Sequence, residues 1–126
     1  MIARLLLDSN IVVYLDQNPD RVTIQTRDQL DGAREVYVSA VTGWELAIKQ
    51  ANGALHMNAP VSNLVEALGL LELPITIRHG EAVRTLPLLH RDPFDRLLVA
   101  QSIIEGLTLM TSDRRLAQYG VPILLV

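Results

Sequence analysis

The chain has 126 residues, of which 49% are hydrophobic and 20% are charged, and this composition predicts one packed domain over residues 1–126 and excludes a disordered chain. It has no cysteine, which excludes a disulfide framework and a thiolate zinc site and favours a cytoplasmic location. The net charge of −3 does not favour a protein that coats nucleic acid, and no apolar run is long enough for a signal peptide or a membrane span.

The first half of the chain alternates short apolar strands with helices. In order, we predict a strand over residues 4–7, a helix over 11–15, an exposed helix over 21–30, a strand over 35–38 and a helix over 41–51. In the last of these helices, Val41, Trp44 and Ile48 repeat at helical spacing, which predicts one buried apolar face.

The second half continues this alternation. In order, we predict a helix over residues 60–71, a strand over 73–77, a helix over 81–89 that Pro87 interrupts, a helix over 93–105, a strand over 107–111, a short helix over 112–116 and a strand over 121–126. Pro93 fits the first position of its helix, and Asp92 fits the N-cap before it. That helix is apolar on almost all sides after Arg96, so we expect other elements to cover it.

Strands that alternate with helices, without a tight hairpin signal, are typical of a parallel α/β sheet. Helices should cover both faces of such a sheet, because parallel strands are buried on both sides. The predicted fold is therefore a three-layer α/β/α domain around a mainly parallel central sheet of about five strands.

Four acidic residues should meet at one edge of this sheet. Asp8 follows the first strand by one residue, and Asp113 follows the fourth strand by two. Asp95 begins the helix that leads into the fourth strand, and Glu45 lies in the helix after the second. Because open parallel sheets bind their ligands beyond the carboxyl ends of the strands, we expect the four carboxylates to converge there.

Carboxylates that converge repel one another, and some of them would take up protons at neutral pH. A hard divalent cation such as Mg²⁺ or Mn²⁺ removes this repulsion, prefers oxygen ligands and leaves coordination positions for water and phosphate. With such an ion bound, water can attack a phosphodiester. The pattern therefore favours a metal-dependent site for phosphodiester hydrolysis.

Each acid also has a purely structural explanation. Asp8 could cap the next helix, and Asp113 could be an acid favoured by a helix N-terminus. Glu45 could pair with Lys49 one turn later. Asp92 fits a cap better than a ligand, whereas an acid inside a covered helix is costly and favours a functional role for Asp95.

Smaller and basic residues around these acids could assist. Several polar side chains could hold an acid, a water or a phosphate: Asp92, Thr111, Ser9, Asn10 and Ser112. Local capping explains their hydroxyl and amide groups equally well. Cations that could contact an RNA backbone flank the acids, and each could equally be a solvated surface charge: Arg91, Arg96, Arg114 and Arg115. We exclude His90 from the predicted site, because a lone loop histidine rarely has a catalytic role.

Four segments of the sequence together resemble a PIN domain, and specifically the toxins of VapBC-type toxin–antitoxin pairs. They are LLLDSN at 5–10, SAVTGWELAIK at 39–49, HRDPFDRLLVAQ at 90–101 and LMTSD at 109–113. The resemblance extends from the first strand to the last helix, and it implies a PIN-like fold.

The resemblance also implies a function. Proteins of this family are Mg²⁺- or Mn²⁺-dependent endoribonucleases that cleave RNA, such as transfer RNA or another structured RNA, and arrest growth until a cognate antitoxin binds. The resemblance assigns the catalytic and metal-binding roles to Asp8, Glu45, Asp95 and Asp113. It also implies that Thr111 is the hydroxyl residue beside the last acid. It further implies a homodimer. The acidic net charge means that RNA would have to bind a local surface that carries arginines.

Two other functions remain open from the sequence. The chain could be a catalytically inactive PIN-like module that binds RNA or protein, although the complete set of four acids argues against this. It could also be another phosphate-handling α/β domain, such as a receiver domain. A receiver would need an acidic pair near the first strand, and residues 1–7 contain no acid.

Overall fold

Five parallel strands form the centre of the computed structural model, which describes residues 4–126 apart from the side chain of Pro19. They are β1 (Arg4–Leu7), β2 (Glu35–Ser39), β3 (Leu71–Leu73), β4 (Thr108–Thr111) and β5 (Ile123–Leu125). Their order in the sheet is β3-β2-β1-β4-β5, and every neighbouring pair is parallel. The predicted parallel sheet is therefore confirmed. Residues 1–3, which begin the N-terminal run considered above, lie outside the described residues.

Helices connect the strands. They are α1 (Ser9–Gln17), α2 (Ile24–Gly32), α3 (Ala40–Ala51), α4 (Val61–Ala67), α5 (Ile77–Ala82) and α6 (Pro93–Glu105), with 3₁₀ helices at Pro19–Arg21, Val83–Thr85 and Arg114–Tyr119. Within residues 4–126, none of these helices combines the length and the apolar character that a membrane crossing requires.

The central strand β1 divides the core into two parts. Leu5 and Leu7 pack into one apolar cluster, whereas Leu6 packs into the other, and all three side chains are fully buried. Successive residues of a strand point to opposite faces, so this continuous apolar run is buried on both sides of the sheet. The two clusters are the cores of a three-layer α/β/α domain.

The third strand lies earlier in the chain than predicted. Residues 71–73 pair with β2, whereas the apolar residues after Pro74 belong to a loop and to α5. The reason is a capping box: Thr76 accepts a hydrogen bond from the backbone N–H of His79, whose Nδ1 accepts one from the backbone N–H of Thr76. This reciprocal pair begins a helix at Ile77, and the predicted strand over 73–77 is wrong beyond its first residue.

In the first half of the chain, the helices predicted over 11–15 and 21–30 are Ser9–Gln17 and Ile24–Gly32, and in the second half three predicted helices have different bounds. The predicted helix over 60–71 ends at Ala67, because Gly69 adopts a positive φ of 66° that ends the helical path. The helix predicted over 81–89 is replaced by α5 and the 3₁₀ helix Val83–Thr85. The short helix predicted over 112–116 is the 3₁₀ helix Arg114–Tyr119.

The buried face of α3 also differs from the prediction. Val41 is buried as expected, but Trp44 is 60% exposed and Ile48 is 39% exposed. The buried face instead includes Glu45 and Leu46. The Trp44 and Phe94 rings pack in a T-shaped arrangement at 5.2 Å between centroids, so this side chain contacts the first turn of α6.

The predicted start of α6 is confirmed. Asp92 Oδ1 accepts hydrogen bonds from the backbone N–H groups of Phe94 (2.9 Å) and Asp95 (3.4 Å), and Pro93 occupies the first helical position. Gly106 ends the helix in the left-handed conformation, with a φ of 66°. These two caps fix the direction of the helix that carries Asp95.

Candidate active site

Asp8 is both a helix cap and a buried acid at the carboxyl edge of the sheet. Its Oδ1 accepts a hydrogen bond from the backbone N–H of Ser9 (2.7 Å), which confirms the predicted cap, and its Oδ2 accepts one from the Thr111 hydroxyl (2.7 Å). The side chain is almost fully buried. Burial raises the pKa of Asp8, these hydrogen bonds oppose the rise, and the charges of Glu45 and Asp113 add to it.

Glu45 points from α3 into the interior with one of its oxygen atoms unpaired. Its Oε2 accepts a hydrogen bond from Lys49 Nζ at 2.8 Å, so the predicted pair one turn apart is confirmed. Its Oε1 is buried without a hydrogen-bond partner among the described residues, and only 5% of the side chain is exposed. A buried carboxylate oxygen without a partner is costly, and it indicates a place where a cation or a water belongs.

Asp95 lies in the first turn of α6, where it experiences the charge of every other predicted acid. Burial raises the pKa of Asp95 from 3.8 to about 7, and the neighbouring charges of Asp8, Asp92, Glu45 and Asp113 contribute to the rise. The structure therefore brings the predicted acids into one electrostatic group at the edge of the sheet.

Asp113 follows β4, and both of its carboxylate oxygens are held by an arginine. Arg115 donates to both of its carboxylate oxygens, from Nε at 3.0 Å and from Nη2 at 2.9 Å. These hydrogen bonds hold the pKa of Asp113 below its usual value. The backbone N–H of Asp113 also donates to the Thr111 hydroxyl at 3.0 Å, so Thr111 connects this residue to Asp8.

His90 also belongs to this group, although the sequence analysis excluded it. Its Nε2 lies 3.8 Å from Asp95 Oδ2 and 3.7 Å from Asp113 Oδ2. Among the described residues, these three side chains can place ligand atoms within 4.8 Å of one another, and Asp8 and Glu45 lie outside that tight set. The position of His90 two residues before the α6 cap was the available signal, but no periodicity or spacing rule predicts where a loop side chain points.

The smaller predicted residues lie beside the acids. Asn10 Nδ2 donates to Ser112 Oγ at 2.7 Å, and Asn10 Oδ1 is buried without a partner among the described residues. Ser9 is 8% exposed and begins α1 directly after Asp8. These side chains connect the end of β1 with the end of β4.

The predicted arginines have different environments. Arg96 donates to the carbonyl oxygens of Pro87 (2.9 Å) and Val83 (3.2 Å), so its guanidinium holds the loop before α6. Arg91 and Arg114 are exposed. The Arg115 side chain is also exposed, although its guanidinium is held by Asp113.

The donor set fits a hard divalent cation. Carboxylate oxygens predominate in it, one of them is buried and unpaired on Glu45, and the pKa values of Asp8 and Asp95 are raised by burial and like charge. A divalent cation compensates all three features at once, because it supplies the missing partner and the opposite charge.

A family model and a related protein both match almost the whole chain. The family model for the PIN domain matches residues 5–122. Ribonuclease VapC22 of Mycobacterium tuberculosis is 28% identical over 120 residues, which cover 93% of this chain and 92% of that protein.

Two solved structures share the fold. The crystal structure of VapBC2 from Rickettsia felis bound to a promoter DNA fragment matches with a TM-score of 0.72 at 15% identity, over 97% of this chain and 98% of that one. A toxin–antitoxin complex from Klebsiella pneumoniae matches with a TM-score of 0.63 at 17% identity, over 95% of each chain. Because the family model covers nearly the whole chain, this protein belongs to the PIN domain family.

Proposed function

We propose that this chain is a divalent-metal-dependent endoribonuclease and the toxin component of a type II toxin–antitoxin pair. The observation that carries the proposal is the acid group at the carboxyl edge of the sheet, in which four neighbouring charges and burial raise the pKa of Asp95 to about 7. The 28% identity to a protein named Ribonuclease VapC22 supports RNA as the substrate.

The proposed roles of the acids follow from their contacts. Asp8, Glu45, Asp95 and Asp113 hold the ion, directly or through water, and Mg²⁺ or Mn²⁺ is the cofactor that suits their oxygen atoms. When bound, the ion would supply positive charge for the phosphate and a more acidic water. Thr111 orients Asp8 through its 2.7 Å hydrogen bond, and Lys49 fixes one oxygen of Glu45.

For substrate binding, Arg91 and Arg114 are the proposed contacts to the RNA backbone, because both are exposed beside the acid group. Arg96 has its guanidinium engaged with backbone carbonyls, so we assign it to positioning the loop over residues 87–90 rather than to RNA.

The proposed protein partners are a cognate antitoxin and a second copy of the chain. The similarity to chains of toxin–antitoxin complexes supports the antitoxin. The exposed apolar side chains of Trp44 and Ile48 on α3 support a homodimer, because such groups are usually covered in an assembly. A cytoplasmic location fits a protein that acts on cellular RNA.

Incubation of the purified chain with total RNA tests the proposal. We expect endonucleolytic products with Mg²⁺ or Mn²⁺, none with EDTA, and recovery when the divalent ion is restored. The alternative of a catalytically inactive binding module predicts RNA retention on a filter without any products. That result, in a sample shown to be folded by circular dichroism, would contradict the enzymatic proposal.

A further inference from the structure

The imidazole of His90 occupies an unusual position for a loop side chain. It is 10% exposed, and its Nε2 is buried without a hydrogen-bond partner among the described residues. The neighbouring carboxylate oxygens lie 3.7 and 3.8 Å away, which is beyond hydrogen-bond distance. This nitrogen is therefore buried between two carboxylates that are near enough for an electrostatic contact but too far for a hydrogen bond, so its hydrogen-bonding capacity is unmet.

The spacing of the three atoms suits one small cation. Two ligand atoms that are each about 2.1 Å from the same ion lie at most about 4.2 Å apart. The distances from His90 Nε2 to Asp95 Oδ2 and Asp113 Oδ2 both fall within this limit. Because ligand atoms of all three side chains also lie within 4.8 Å of one another, a single ion can be shared by the nitrogen and both carboxylates after small side-chain adjustments.

The backbone that carries His90 is tied to α6. Arg96 Nη1 donates to the carbonyl oxygen of Pro87 at 2.9 Å and to that of His90 at 3.4 Å. Asp92, two residues further along, caps the same helix. Anchors on both sides of His90 hold the imidazole toward the first turn of α6, where Asp95 lies.

We propose that His90 is a nitrogen ligand of the catalytic metal ion and that it makes the site prefer a first-row transition cation such as Mn²⁺ over Mg²⁺. Imidazole nitrogen binds transition cations well, whereas Mg²⁺ strongly prefers oxygen. The inference rests on the proposed function in taking the edge acids as a metal site, and it adds a ligand and a selectivity to that site.

Pulsed electron paramagnetic resonance of the full chain loaded with Mn²⁺ tests the ligand directly, because a coordinated imidazole gives a ¹⁴N coupling to the manganese spin. We expect this coupling in the wild type and its loss in His90→Gln. The matched control is His56→Gln, which changes an exposed histidine outside the acid group and should keep the coupling. The fluorescence of Trp44, the single tryptophan, and circular dichroism check that each variant is folded.

Calorimetric titration with each metal tests the selectivity. We expect His90→Gln to weaken Mn²⁺ binding by at least about 10-fold and to change Mg²⁺ binding by less than about 3-fold. An unchanged ratio of the two affinities would overturn the selectivity, and a wild type that binds no Mn²⁺ would overturn the whole inference.

The outcomes also separate this inference from the proposed function. A wild type that cleaves RNA but shows no ¹⁴N coupling overturns the role of His90 and leaves the ribonuclease standing. A wild type that shows the coupling but cleaves no RNA supports the ligand and contradicts the ribonuclease.

Discussion

The carboxyl group of Asp95 illustrates how its surroundings determine the chemistry of a single residue. Its pKa is 3.8 without the protein environment and about 7 in the folded chain. Between these two values the folded state binds more protons than the unfolded state, so the stability of the metal-free protein falls as the pH rises. The stability that the protonated Asp95 carboxyl contributes is fully present below about pH 4, and it is lost as the pH rises through about 7.

Replacement of this charge should therefore stabilise the metal-free protein. We expect Asp95→Asn to raise the free energy of unfolding at pH 8 by about 1–3 kcal/mol, and to raise it less at pH 5. RNA cleavage should fall at least about 100-fold. Urea unfolding in EDTA and a cleavage assay measure the two effects, with the exposed Asp20→Asn as control. A variant that is less stable than the wild type at pH 8 would contradict the assigned cause.

Thr111 connects two acids through a single hydroxyl, which donates to Asp8 and accepts from the backbone of Asp113. Thr111→Val keeps the shape but leaves both groups without this partner, so we expect a loss of about 1–3 kcal/mol in stability. Thr111→Ser retains the hydroxyl and is the matched control. Thermal unfolding of both variants checks this, and equal stabilities would show that the hydroxyl does not hold the acids.

At the scale of elements, the two aspartates in the first turn of α6 and at its N-cap have different roles. Asp92 begins the helix through hydrogen bonds to backbone N–H groups, and Asp95 faces the other acids one turn further on. The α6 N-terminus is therefore both a capped end and one wall of the candidate active site. The two roles belong to different residues.

Substitutions at Asp92 can test this division. Asp92→Ala should lose about 1 kcal/mol of stability, because the cap disappears. Asp92→Asn keeps a capping oxygen and removes only a charge that acts on Asp95 from a distance, so we expect nearly wild-type stability and a small change in Mn²⁺ affinity. Chemical denaturation and calorimetry measure these quantities. If Asp92→Asn lowered the Mn²⁺ affinity about 10-fold, Asp92 would be a metal ligand as well as a cap.

At the scale of the whole molecule, the acid group depends on the complete fold. Its members follow β1, lie within α3, begin α6 and follow β4, so no single segment can form the site. The two core clusters hold these elements together against the repulsion among the acids. A cation that removes this repulsion should therefore stabilise the entire domain.

A divalent ion should raise the stability of the wild type, and the increase should grow with the logarithm of the ion concentration above its dissociation constant. Mn²⁺ at about 100 times its dissociation constant adds roughly 2.7 kcal/mol if it binds the folded state alone. The gain should be larger at pH 8 than at pH 5.5, because protons compete for the raised-pKa carboxylates. Differential scanning calorimetry with and without EDTA measures it. If Mn²⁺ stabilised Asp95→Asn as much as the wild type, the ion would not bind at Asp95.

The errors of sequence interpretation arose where local pattern and tertiary contact disagree. The residues after Pro74 are apolar enough for a strand, but the capping box between Thr76 and His79 makes them helical. In α3 the periodicity of Trp44 and Ile48 predicts burial, yet Glu45 and Leu46 face inward, and Trp44 packs against Phe94 of α6 instead. Hydrophobic periodicity alone cannot distinguish these outcomes.

The sequence by itself determined the central strand and the parallel sheet, because these depend on short-range pattern. It also predicted that four acids lie near one another, because their positions follow from where the strands and helices end and begin, and their charges do act on Asp95 in the structure. The start of α6 at Asp92 and Pro93 could also be predicted from the sequence, because a helix cap is a local hydrogen-bonding arrangement. The tertiary structure alone decided that the buried side chain of His90 lies between Asp95 and Asp113, and that Arg96 holds its loop. The direction of a loop side chain depends on contacts between distant parts of the chain, and no spacing rule contains that information.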